Sequence, residues 1–210
     1  MRGLGLIGPT LGIAALAATG GGAVADEFSG RLDGFQEIGA LAGPTGAVLS
    51  NGTGTVELSL DRKSNTITYK LTYSDVGKTP PQPGTVSQAH IHFGKKHVAG
   101  QVMVFFCTNL TPPAGVPKPP SCPLNSGTVT GTFIGANVLQ QLSQNIGGGD
   151  FDALVDALTS NTAYANIHTV PLQGATNTAF PAGEIRGQIH KGDLDEKHDH
   201  HDHHDDHEHK

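Results

Sequence analysis

The hexapeptide AHIHFG, residues 89–94, sets His90 and His92 one residue apart in a stretch that reads as a β-strand. Strand side chains alternate between faces, so Ala89, Ile91 and Phe93 point one way and both histidines the other, about 6.6 Å apart along the strand. Two imidazoles at that spacing can converge on one metal ion if a third ligand arrives from a neighbouring strand. The same alternation puts Tyr164, Asn166 and His168 of AYANIHT on one face, and Glu184, Arg186, Gln188 and His190 of GEIRGQIH on one face. Were the three strands adjacent, His90, His92, Asn166, His168, Glu184 and Arg186 would form one polar cluster, with Arg186 pairing Glu184 or a nearby carbonyl. Two readings stay open: a metal site built on His90, His92 and His168, or a polar set that fixes strand register or simply faces solvent.

A second group of histidines closes the chain. His198, His200, His201, His203, His204, His207 and His209 are interleaved with aspartate and glutamate in DLDEKHDHHDHHDDHEHK, which has no apolar residue after Leu194. Such a composition is expected to stay disordered and to bind copper, zinc or nickel loosely through imidazole and carboxylate donors. Protonation below about pH 6.5 should release that metal.

The elements that must position the first group read as strands. In TGTVELSLD, Val56, Leu58 and Leu60 share a face; in NTITYKLTY, Ile67, Tyr69, Leu71 and Tyr73 do, and the DRKSN between them makes a hairpin turn. SQAHIHFG, GQVMVFFC, GTVTGTFI, TAYANIHT and GEIRGQIH supply further strands. Between them, ANVLQQLSQNI and DFDALVDALTSN have apolar residues at three- and four-residue spacing, which predicts two short helices broken by Gly147, Gly148 and Gly149. Asp150, Asp152 and Asp156 are read as a helix cap and dipole complement rather than as catalytic carboxylates. Short strands with glycine- and proline-rich turns argue an all-β antiparallel sandwich or barrel.

Composition narrows the setting. The formal charge is −6, and residues 193–210 alone carry eight acids against two lysines, so the remainder is neutral. A neutral body has no electrostatic footprint for nucleic acid. The start of the chain has an arginine, an apolar run from Leu4 to Ala18 and a small-residue stretch, Ala23-Val24-Ala25, before Asp26. This order fits a signal peptide over residues 1–25, with an apolar run shorter than the ~20 residues a spanning helix needs, and no later stretch is apolar enough to span. Export to the periplasm, the cell envelope or the medium follows. In that oxidising setting Cys107 and Cys122, which bracket a proline-rich loop, are read as one disulfide worth about 3 kcal/mol.

AHIHFG, then Gly100-Gln101-Val102, AYANIHT and PAGEIRGQIH, preceded by GFQEI at 34–38 and the hairpin, resemble the CHRD (chordin) domain over about residues 28–190. The resemblance implies an antiparallel Greek-key β-sandwich of immunoglobulin-like shape, distantly similar to Cu/Zn superoxide dismutase, over residues 26–191. It also implies single-domain secreted bacterial relatives. By similarity to the dismutase, His90, His92 and His168 would be copper or zinc ligands. The loop GKKHVAGQ offers only His97 in place of the dismutase's zinc loop. No serine-histidine-aspartate set or nucleotide loop is present, and no cofactor is required by any motif. The favoured expectation is a non-enzymatic exported module that binds transition-metal ions through its tail or an extracellular protein partner through a sandwich face. A superoxide-dismutase-like copper centre and a structural envelope component are the alternatives.

Overall fold

A computed structural model describes residues 25–38 and 46–192. The proposed signal peptide and the histidine-rich tail lie outside the described residues.

Among the described residues, nine strands form one continuous antiparallel sheet that curls into an almost closed sandwich: β1 (Asp26–Asp33), β2 (Thr53–Asp61), β3 (Thr66–Ser74), β4 (Gly84–Phe93), β5 (Gln101–Thr108), β6 (Gly127–Phe133), β7 (Ala163–Pro171), β8 (Ile185–Gln188) and β9 (His190–Lys191). Their order is β5-β4-β7-β8-β1-β2-β3-β6, with β9 continuing along β1. The chain crosses between the two halves of that order from β3 to β4, β5 to β6 and β6 to β7, so the all-β Greek-key expectation holds. The β2–β3 hairpin has the register that its alternation requires, with Val56 opposite Leu71, Leu58 opposite Tyr69 and Leu60 opposite Ile67. All six are buried in the core, together with Ala89, Ile91, Ile167 and Ile185 from the other half.

The first strand, β1, was not legible as one. Phe28 and Leu32 enter the core, but the core-facing position between them is Gly30, where a Cβ would lie 2.6 Å from the Gln188 carbonyl oxygen. Of the two predicted helices one forms. α1 (Phe151–Thr159) is capped by Asp150, whose side chain accepts from the Ala153 amide, and it buries Leu154, Val155, Ala157 and Leu158. The segment ANVLQQLSQNI instead makes two 3-10 turns, Gly135–Asn137 and Leu142–Gln144. Its polar groups are used elsewhere: the Leu139 amide donates to the Met103 carbonyl, the Gln141 side chain to the Val102 carbonyl, and the Gln144 side chain accepts from the Gln101 amide. These bonds occupy the free edge of β5, a strand edge that would otherwise be open to pairing.

Cys107 and Cys122 are disulfide-bonded. Within the loop they close, Asn109 donates to the carbonyls of Val86 and Cys122 and accepts from the Cys122 amide.

Candidate metal centre

The strands β4, β7 and β8 are buried on both faces. One face is the apolar core; the other carries the polar rows, roofed by the loop 94–100, the turn Gly34–Gln36 and the segment around Pro181. Register aligns the rows: His90 faces Asn166 and Asn166 faces Arg186, while His92 faces Tyr164 and Tyr164 faces Gln188. His168 stands opposite Gln88 on β4. His90, His92, Asn166, His168, Arg186 and Gln188 are all buried, the three histidines at 2%, 7% and 7% exposure, so solvent is not what these rows face.

Two bulges in β5 complete one wall. The pairing with β4 shifts between Ala89 and His90 and again between Ile91 and His92, so that Phe105, not Phe106, falls opposite His90. Bulges re-aim side chains in this way. The Phe105 ring meets the His90 ring edge-on at 4.2 Å, while Phe106 stays in the core.

The histidines converge. One nitrogen from each of His90, His92 and His168 lies within 4.8 Å of the other two. His90 Nδ1 is 3.3 Å from His168 Nε2. Two nitrogens bound to one zinc ion at the usual 2.0–2.1 Å stand about 3.3–3.6 Å apart, so this pair already has a ligand spacing. The tautomers of the other two rings are set by the main chain: His168 Nδ1 donates to the Pro181 carbonyl at 3.0 Å and His92 Nδ1 to the Gly100 carbonyl at 3.0 Å. A backbone carbonyl on one nitrogen of a ring leaves the other as a bare lone pair, the arrangement of metal-ligating histidines. His92 Nε2 and His90 Nε2 are buried with no hydrogen-bond partner. An unpartnered buried polar atom is costly, and a cation shared by the three rings through His90 Nδ1 would relieve that cost at His92 Nε2, while His90 Nε2 points away from it.

The rings are held neutral. Burial pushes His90 well below the usual histidine value, reinforced by His168 and His92 beside it; burial lowers His92 to about 4 and lowers His168 as well. Neutral imidazole is the form that binds metal, so protons do not compete near pH 7.

Of the remaining sequence-predicted residues, Arg186 lies in the cluster and meets carbonyls, donating from Nη2 to Lys95 and Val98. Glu184 does not pair with it. Its carboxylate accepts from the Ser50 hydroxyl, the Gly77 amide and the Thr169 hydroxyl. Glu184 precedes β8, after Gly183 at φ +129°, where strand alternation no longer applies, and its side chain reaches toward the same side as Thr169. His97 and His190 are exposed. Instead of Glu184, the carboxylate of the layer is the buried Glu37, which accepts from the Asn166 side-chain amide. Glu37 follows the turn Gly34–Gln36, within the GFQEI of the resemblance, where strand alternation does not place it on this face. Tyr164, whose parity did place it on this face, packs parallel to His92 at 4.7 Å and carries the Arg186 guanidinium 3.4 Å above its ring.

A search of curated proteins returns no match. The CHRD domain family model matches residues 28–189, most of the chain and all three histidines of the centre. The chain belongs to the CHRD domain family.

Proposed function

We propose that this CHRD chain is an exported metal-binding module whose domain holds one copper or zinc ion on His90, His92 and His168. The observation that carries the reading is the pair of Nδ1–H bonds to the Pro181 and Gly100 carbonyls, which leave Nε2 of His168 and of His92 as the lone-pair nitrogens of a cluster in which one nitrogen from each ring lies within 4.8 Å of the others. The set is all imidazole, which suits copper, zinc and nickel, and copper(II) heads the affinity order for such donors. Export is supported by the order of residues in 1–25, and the tail 193–210 is a second, looser site on composition alone. Three protein ligands leave a coordination position open, as catalytic metal sites do. A copper-loaded domain that consumes superoxide would extend the reading to redox chemistry.

The test separates domain from tail. In a chain with the seven tail histidines changed to asparagine, one copper or zinc per chain should survive dialysis against a weak chelator, and His92→Asn should remove it while leaving the circular dichroism spectrum intact. A tail-substituted chain that retains no metal overturns the domain site and leaves the tail as the metal binder.

A further inference from the structure

The geometry points to Arg186 as a positioning residue for the metal ligand His92, acting through Tyr164 and the loop 94–100; the inference rests on the metal-binding reading of His92. Nη2 of Arg186 donates to two carbonyls of that loop, Lys95 at 3.1 Å and Val98 at 3.0 Å. Gln188, two residues along β8, donates to a third, Gly94, at 3.1 Å. The loop returns at Gly100, and Gly100 is joined to the centre twice: its amide donates to the Tyr164 hydroxyl at 3.1 Å, and its carbonyl accepts from His92 Nδ1 at 3.0 Å.

The circuit closes through stacked planes. β4 and β8 flank β7 on opposite sides, so His92 and Arg186 approach Tyr164 from different strands; the His92 ring lies 6° from parallel at 4.7 Å and the guanidinium sits 3.4 Å from the ring centroid. Arg186 thus fixes the loop by hydrogen bonds and Tyr164 by its face, and both converge on the carbonyl that sets the His92 tautomer. Gly100 permits the approach, since a Cβ there would lie 1.7 Å from the Phe93 carbonyl oxygen. The planar guanidinium is what both contacts use, a geometry that an ammonium does not reproduce. Outer contacts of this kind are typically worth 10–100-fold in metal affinity.

The experiment uses the tail-substituted full-length chain and two readouts. Ring 15N spectra of the metal-free protein should show His92 as a single Nδ1–H tautomer, and Arg186→Met should convert it to a mixture; metal affinity should fall about 10–100-fold. Arg186→Lys should not restore either. Tyr164→Phe keeps the ring and removes only the acceptor of the Gly100 amide, so it tests the same path should Arg186→Met not fold, with a tautomer mixture and roughly tenfold weaker binding expected. Arg62→Met, which breaks a surface ion pair with Asp26, is the control and should change nothing. An unchanged His92 tautomer and affinity in both Arg186→Met and Tyr164→Phe overturns the assignment, and so does full recovery with Arg186→Lys, which would make the effect one of charge. If the reference chain binds no metal yet the tautomer still responds, the metal reading fails and the positioning of His92 stands.

Discussion

Three imidazoles enclosed by protein make the fold sensitive to acid. His90, His92 and His168 are each lowered by burial, His92 to about 4, whereas in the unfolded chain they titrate near 6.5. The folded form therefore binds fewer protons than the unfolded one as pH falls below the unfolded value. Each contribution is complete above about pH 6.5 and is lost as pH falls toward the folded value, which for His92 is about 4, by up to about 1.4 kcal/mol per pH unit. Urea midpoints of chelator-treated protein at pH 7 and pH 5 check this: the drop should be large in the parent chain and smaller in His92→Gln. Equal drops would show that His92 does not titrate as its burial demands. The same residues show what was legible in the sequence. Parity along β4, β7 and β8 is a local property, and it placed His90, His92, Asn166, His168 and Arg186 on one layer. Glu37, Gly100 and Phe105 reach that layer through a turn, a loop and two bulges, where alternation carries no information. Glu184 was misassigned because it stands one residue before β8 begins, beyond the reach of the alternation that includes Arg186.

At the scale of elements, the hairpin β2–β3 and the helix α1 are dictated by their own side chains. Asp150→Ala should cost about 1 kcal/mol, since it removes the acceptor of the Ala153 amide and nothing else in the core, and a denaturant titration against the parent measures it. The proline-rich loop behaves differently, because its closure is covalent. Reducing Cys107–Cys122, a closure of sequence separation 15, should lower stability by about 3 kcal/mol. Unfolding with and without dithiothreitol reads that loss, and no change would place the loop's order in the Asn109 hydrogen bonds alone. The two misread elements share a cause. Gly30 in β1 replaces an expected apolar residue because β8 passes too close for a side chain, and residues 136–146 have helical spacing yet are drawn along β5, whose edge takes up their amide groups. Neither constraint is local, so neither is written in the periodicity of the segment it governs.

At the scale of the molecule, a neutral CHRD domain carries a buried trihistidine centre, and the sequence adds to it a charged, histidine-rich extension of eighteen residues. The two proposed metal sites differ in kind. Protons compete weakly in the domain, where burial holds the rings neutral, and strongly in the tail if its histidines titrate near 6.5. Lowering the pH from 7 to 5.5 should therefore strip metal from the tail and leave the domain loaded, as metal analysis of full-length and tail-substituted chains at each pH would show. A metal held by the domain must be held by imidazole nitrogens. X-ray absorption at the zinc edge of the zinc-loaded, tail-substituted chain should give three imidazole nitrogens at about 2.0–2.1 Å, with that signal gone in His168→Asn. A spectrum of oxygen donors without imidazole scattering, or one unchanged by His168→Asn, would contradict it.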